Sequence, residues 1–365
     1  MNKKKLILFM PSIEGGGVEK NFFIISNFLS KKIDNITIIT TSRKNIKKFN
    51  KRIKLLMPEN KFWENSARRI KYFICFYLLL KKIFFEKNYT VFSFQANLYC
   101  VAICKIMGVD IITRSNSSPS GWSNNLAKKI LYKFLLKKAN LVIVNSKEFN
   151  KQMTKYFNVK SKVIYNPLNK NEIRKLSLDK SLKVFNNKKS LKIINIGRFV
   201  DQKDQITLLK ALNKIKNIIN YEAVLVGRGK LKFFLQEYIA KNNLNKKIKI
   251  TDFKLNPYAF LRQADLFILT SKYEGLPNVL LESLTLKKFV ISTNCQTGPK
   301  EILLNGKGGL LFNVGNFNQL AKKILYFNDN KKKCNSMLMK SFKALDRFDS
   351  NKNLERYFTT INEYL

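Results

Sequence analysis

Histidine is absent from all 365 residues. That removes imidazole as a general base and as a zinc ligand. Cysteine is sparse: Cys75, Cys100, Cys104, Cys295 and Cys334 form no Cys-x-x-Cys and show no metal-ligand spacing. They read as reduced, buried thiols of a cytoplasmic protein. Acidic residues are few, 24 Asp and Glu against 69 Lys and Arg, and no Asp-x-Asp occurs, so no metal is expected. Long hydrophobic runs are missing too. The longest, Tyr72 to Leu80, falls far below the ~20 residues of a spanning helix. Leu6 to Met10, behind a basic start, is too short for a signal-peptide core.

What remains is a strongly basic chain, net charge +45, with 45% apolar residues. The length suits two domains with full cores. The charge fits nucleic acid or an anionic membrane surface. It also fits the Lys-, Asn- and Ile-rich composition that an AT-rich genome imposes. No aromatic–basic strand pattern and no helix-turn-helix module accompanies it, so nucleic acid is not expected.

One stretch organises the rest. Asp265 to Ser271 is an apolar run that reads as a buried strand. Gly275 and Pro277 punctuate a loop, and Asn278, Val279, Leu280, Leu281 and Glu282 resume a helical pattern. In open α/β sheets ligands bind at such carboxyl-end loops. The helix start, with Gly275, Leu276, Pro277, Asn278 and Val279, offers amides to a phosphate. Glu274 and Glu282 suit sugar or ribose hydroxyls. Taken alone, two glutamates are more often solvated charges.

Other strand–loop units follow the same plan. Leu6 to Met10 leads into a glycine loop, Gly15 to Gly17, and a helix from Val18. Further strands are expected at 35–41, 90–94, 109–113, 141–146 and 162–167. Residues 169–190 read as a polar linker. Leu191 to Phe199 opens a second domain, with Arg198 and Lys203 around a strand-to-helix turn where two cations can neutralise a diphosphate. Tyr221 to Val226 ends in Gly227-Arg228-Gly229. The stretch 65–85 mixes basic residues with Phe, Tyr and Leu. It reads either as an interfacial helix or as a core helix with charged ends. Arg114, after the 109–113 strand, reads evenly as an anion or acceptor ligand and as a surface arginine.

These strings resemble the retaining nucleotide-sugar glycosyltransferases of family 4. Their Glu, Gly-x-Pro and second Glu appear as Glu274, Gly275, Pro277 and Glu282. Their Gly-Gly-x-Glu appears as Gly16, Gly17 and Glu19, and their Gly-Arg followed by Lys as Gly197, Arg198 and Lys203. The resemblance implies a GT-B fold: α/β, two Rossmann-like, doubly wound parallel-sheet domains facing a cleft. The expected divisions are 1–168 for the acceptor, 169–190 as linker, 191–350 for the nucleotide sugar, and 351–365 as a helix crossing back.

It further implies Arg198, Lys203 and Glu274 as catalytic residues. Donor binding falls to Gly16, Gly17, Gly227, Gly275, Leu276, Pro277, Asn278, Val279 and Glu282. Arg114 and Asn116 stand where many relatives carry a histidine, and are weak acceptor candidates. The donor would be a nucleotide-diphosphate sugar, of the UDP-linked type. The acceptor would be a glycan or lipid-linked glycan of surface polysaccharide or O-antigen synthesis. No cofactor is implied, and the place would be the cytoplasm, against the inner face of the membrane. A nucleotide-sugar epimerase on the same fold is the competing enzyme, disfavoured by the missing histidine.

Overall fold

The structure is a computed structural model describing residues 4–44, 46–86, 88–116, 125–179, 183–187, 189–254 and 256–365. The chain divides into two compact units, Met1–Pro167 with Ser350–Leu365, and Leu168–Asp349. Among the described residues no helix is long and apolar enough to cross a membrane.

The first unit holds a seven-stranded parallel sheet. Its strands are β1 (Lys5–Phe9), β2 (Ile36–Ile39), β3 (Lys54–Leu56), β4 (Tyr89–Ser93), β5 (Asp110–Ser115), β6 (Leu141–Val144) and β7 (Lys162–Val163). Their order is β3-β2-β1-β4-β5-β6-β7. Parallel strands covered on both faces read as continuous apolar runs, as Leu6 to Phe9 does. Right-handed crossovers place the helices after β3, β4, β5 and β6 on one face. The cores agree. Ile7 and Phe9 pack with Cys75, Leu79 and Ile83 of the Arg68–Phe85 helix and with Cys100 and Cys104 of the Asn97–Ile106 helix. Leu6, Leu8 and Met10 face the other way, onto the Gly17–Leu29 helix and the last helix, Ser350–Asn362.

The second unit has six parallel strands: β8 (Leu191–Ile196), β9 (Tyr221–Val226), β10 (Ile248–Thr251), β11 (Leu266–Leu269), β12 (Phe289–Thr293) and β13 (Leu310–Phe312). The order β10-β9-β8-β11-β12-β13 is the dinucleotide-fold order 3-2-1-4-5-6 counted from β8. Its switch point lies between β8 and β11, where successive crossovers leave in opposite directions.

Three expectations change. The stretch 169–190 is not plain linker: Lys170–Leu176 is a helix. The Asn169 side chain caps it by accepting from Glu172 N, and Arg174 and Lys175 suit its C-terminal end. With Ile173 as its one buried residue, it has no apolar period to read. Strand β3, short and at an edge, was not anticipated. Finally β5 runs on through Arg114 and Ser115, which pair with Ile143 and Val144 of β6.

All five cysteines are buried and without disulfides. Burial pushes the Cys75 and Cys104 thiols up to about 12, so neither is a thiolate nucleophile at neutral pH.

Candidate functional site

The loops leaving β8 and β11 meet at the second sheet's switch point. Lys203, in the turn after β8, donates from Nζ to Glu274 Oε1 at 2.5 Å. The same oxygen accepts from Ser271 Oγ at 2.6 Å. Glu274 is 7% exposed, so it is not a solvated surface charge. A buried carboxylate needs such partners.

The loop is fastened from three sides. Gln202 Nε2 donates to the Tyr273 carbonyl at 2.9 Å, and Thr270 Oγ1 to the Lys203 carbonyl at 2.8 Å. Thr293 Oγ1 donates to the Ser271 carbonyl at 2.7 Å. From the loop after β12, Gln296 O accepts from Glu274 N at 2.7 Å, and Thr297 N donates to Glu274 O at 3.0 Å. Gly298 has φ +86, and a Cβ there would lie 2.1 Å from the Gly275 carbonyl oxygen. Glycine is what lets these two loops lie against each other.

Beyond the loop, the helix Asn278–Thr285 begins after Pro277 with no side-chain cap. As at any helix start, its first amides have no acceptor within the helix itself. Gly275, Leu276 and Pro277 are buried; Asn278 and Val279 are half-buried. Glu282 lies inside this helix, 7% exposed, and accepts from the Tyr258 hydroxyl at 3.1 Å. Arg198, one residue beyond Gly197 at the end of β8, is exposed, and its carbonyl accepts from Gln205 Nε2 at 3.0 Å. The switch point thus gathers an ammonium, a buried carboxylate and a helix start. An ammonium carries three donors, so Lys203 can hold Glu274 and still reach an anion.

Next to the pair, Asp204 takes left-handed backbone, φ 47 and ψ 47, and accepts from Thr207 Oγ1 at 2.6 Å. Burial holds its carboxyl above the usual range. Burial, then the Glu274 charge, pushes the Cys295 thiol up to about 12.

Other anticipated residues have other settings. A Cβ on Gly227 would sit 1.9 Å from the Gly197 carbonyl oxygen, so that glycine serves the close approach of the β8 and β9 ends. Gly16 precedes the first-unit helix that Gly17 begins, and both are exposed.

Of the two readings of Arg114, acceptor ligand and surface arginine, burial removes the second: it is 0% exposed. Its Nε donates to Tyr357 Oη at 2.8 Å and its Nη2 to Asn166 Oδ1 at 2.7 Å. Asn116 Oδ1 accepts from Nη1, and Asn116 Nδ2 donates to the Phe94 carbonyl at 3.1 Å. The extension of β5 carries the guanidinium under the last helix, where it braces the first unit.

Sequence reasoning missed Ser271, Gln202, Thr297 and Tyr258. Each is a small or common polar residue at a strand end or helix start. Only the three-dimensional meeting of the loops gives it a role.

Residues 178–343 match the model for "Glycosyl transferases group 1". An uncharacterised glycosyltransferase of Methanocaldococcus jannaschii is 33% identical over 235 residues, 62% of this chain and 53% of that protein. The chain spans about half the length of the first curated relatives it matches. A Campylobacter jejuni α-1,4-N-acetyl-D-galactosaminyltransferase, named for an undecaprenol-diphosphate-linked acceptor, is 26% identical over 339 residues, 89% of each chain. Among solved structures, Anabaena HepE with UDP and glucose superposes with a TM-score of 0.77 at 18% identity, over 99% of this chain and 100% of that one. The fold is GT-B. Over residues 178–343 the chain is thus similar to the group 1 glycosyltransferases.

Proposed function

We propose that the chain is a retaining glycosyltransferase of the family 4 type. It moves a hexose or N-acetylhexosamine from a nucleotide-diphosphate sugar, UDP-linked, to a lipid-linked glycan in surface-polysaccharide synthesis. The observation that carries this reading is the Lys203–Glu274 pair, a half-buried ammonium on a buried carboxylate at the switch point of a dinucleotide-type sheet. The Campylobacter relative's undecaprenol-linked acceptor supports the acceptor class, and the neighbour solved with UDP supports the nucleotide.

The difficult step is breakage of the bond between the anomeric carbon and the leaving phosphate. Charge builds on that phosphate, and preorganised donors lower the barrier; loss of one such donor typically costs ~10²–10³ in rate. In this proposal Arg198 and Lys203 bind the diphosphate, helped by the first-turn amides of the Asn278–Thr285 helix. Glu274 accepts from the sugar hydroxyls and Glu282 from the ribose. The acceptor oxygen attacks on the face the phosphate leaves, and the phosphate takes its proton. No histidine and no metal enters this scheme.

A thermal-shift screen against UDP, GDP, ADP and their sugar conjugates tests it. Ligand at 100 times its Kd adds ~2.7 kcal/mol. One nucleotide is expected to stabilise wild type but not Glu282→Ala. Arg198→Ala, exposed and so harmless to folding, is expected to lose transfer. Nucleotide stabilisation unchanged in Glu282→Ala, or full turnover in Arg198→Ala, overturns the assignment.

A further inference from the structure

Different chemistry holds the two carboxylates of the site. Lys203 pairs with Glu274 through an ammonium. Glu282 accepts from a phenol, Tyr258 Oη, at 3.1 Å. Tyr258 and Glu282 are both buried, at 6% and 7% exposure. A phenol has one hydrogen and a carboxylate only accepts, so that hydrogen is directed at Glu282. The phenol brings no charge of its own. It orients the carboxylate and leaves the carboxylate's negative charge in place.

Tyr258 is itself anchored. It opens the helix Tyr258–Gln263, which precedes β11, while Glu282 lies in the helix that follows β11. The earlier helix is tied at both ends to the chain ahead of β8. Asn256 Oδ1 accepts from Tyr258 N at 3.2 Å, and Asn256 Nδ2 donates to the Leu176 carbonyl at 2.9 Å. At the other end Gln263 Oε1 accepts from Val184 N at 3.2 Å. Tyr258, Ala259, Phe260 and Leu261 are all buried. The phenol oxygen is therefore a fixed point. A glutamate side chain turns about several bonds, and a donor at a fixed point selects among its rotamers. That ordering is completed on folding, so ligand binding does not have to supply it.

We infer, on the reading that Glu282 receives the ribose, that Tyr258 is a positioning residue setting how strongly the site reads the ribose hydroxyls of its nucleotide. A carboxylate offers about four acceptor places on its two oxygens. Tyr258 takes one and fixes the direction of the others. Recognition by a preset acceptor is steep, because a ligand without the hydroxyl leaves that acceptor desolvated and unpaired. A carboxylate free to turn would adapt to either ligand and discriminate less. Selectivity for the ribose form over a deoxy form thus depends on Tyr258, which acts through Glu282.

The test is titration calorimetry of the full chain with the tightest binder among UDP, GDP and ADP, and with the 2′,3′-dideoxy form of that nucleotide. Wild type is expected to prefer the ribose form by roughly tenfold or more. Tyr258→Phe keeps the ring and is expected to cut that preference by about threefold or more, through weaker binding of the ribose form alone. Asn256→Ala keeps the phenol but unties it, should move the preference the same way, and decides the matter if Tyr258→Phe does not fold. Tyr221→Phe is the comparison. It removes another buried phenol of the second unit, which donates to the Leu212 carbonyl at 2.9 Å. It should lower the melting temperature and leave the preference at the wild-type value. A wild-type preference in folded Tyr258→Phe, or equal losses for both ligands, overturns the role of Tyr258 and leaves the donor assignment standing. No preference in wild type, or a preference intact in Glu282→Ala, overturns the ribose assignment and the role of Tyr258 with it. Failure of wild type to bind any of the three nucleotides does the same.

Discussion

Replacing Tyr357 by phenylalanine tests the brace that ties the last helix into the first unit. The change removes one hydroxyl and keeps the ring beside Phe92, 6.3 Å away between centroids. It leaves Arg114 Nε without its 2.8 Å acceptor inside a fully buried site. No water replaces the hydroxyl there without opening the core. A hydrogen bond to a charged group is worth ~1.5–3 kcal/mol. The hydroxyl's other contact, to the Ile164 carbonyl, is long at 3.4 Å and adds little. For a unit of about 150–250 residues each kcal/mol moves Tm by ~2–4 °C, so the expected fall is about 3–12 °C. No tryptophan occurs within Leu168–Asp349, and Trp63 lies in the first unit, so tryptophan fluorescence reports melting of the first unit without the second. A double-mutant cycle with Arg114→Met separates pairing from packing. Removing both charge and acceptor should cost less than the sum of the single changes, by ~0.5–3 kcal/mol. A Tyr357→Phe protein melting like wild type, or strict additivity in the cycle, refutes the brace.

The sign of the Asp204 shift makes a second prediction. Its folded carboxyl is held above the ordinary value of ~3.9, so its cost to stability grows as pH rises from there through the folded pKa and is absent below. Asp204→Asn keeps an acceptor for Thr207 and suits left-handed backbone. It should raise Tm near neutral pH and not in strong acid; a lowered Tm at pH 7 would contradict this. Gly298→Ala should cost both stability and nucleotide binding, because the new methyl must push the Gly275 carbonyl and with it Glu274. Gly306→Ala has a similar φ, +89, but no contact nearer than 3.9 Å, and should cost only the left-handed strain of ~1–2 kcal/mol. Equal effects of the two on nucleotide-induced stabilisation would sink the loop-against-loop account. Lys203→Met should destabilise by several kcal/mol, ~3–5 for a broken buried pair, whereas Lys203→Arg keeps the charge. Urea denaturation separates them, and identical midpoints would show that the pair is not buried in solution.

The candidate site was legible because its punctuation is local. An apolar run, then Gly275 and Pro277, then renewed apolar residues locate a strand, a loop and a helix within a few residues. The two parallel sheets were expected from the resemblance to GT-B enzymes, and their strand orders were not read from the sequence. Arg114 was not legible, because charge in a sequence suggests surface; only the extension of β5 carries it beneath Tyr357. The short Lys170–Leu176 helix was invisible for want of a period. The stretch 65–85 left two readings standing, core helix and interfacial helix. One face is core, and the other carries exposed Ile70, Phe73, Tyr77, Leu80 and Phe84.

The return of Ser350–Asn362 to the first unit bears on the order in which the chain is made. Leu354, Tyr357 and Ile361 complete the core built on Leu6 and Leu8, yet they leave the ribosome only after all of Leu168–Asp349. At ~5–20 residues per second, the first sheet waits roughly 10–40 s with one face covered by the Gly17–Leu29 helix but not by the last helix, and with Arg114 lacking its Tyr357 acceptor. The second unit is continuous in sequence and meets no such delay. The half synthesised later is thus the half able to fold first, and the early half spends that interval as the one needing a chaperone.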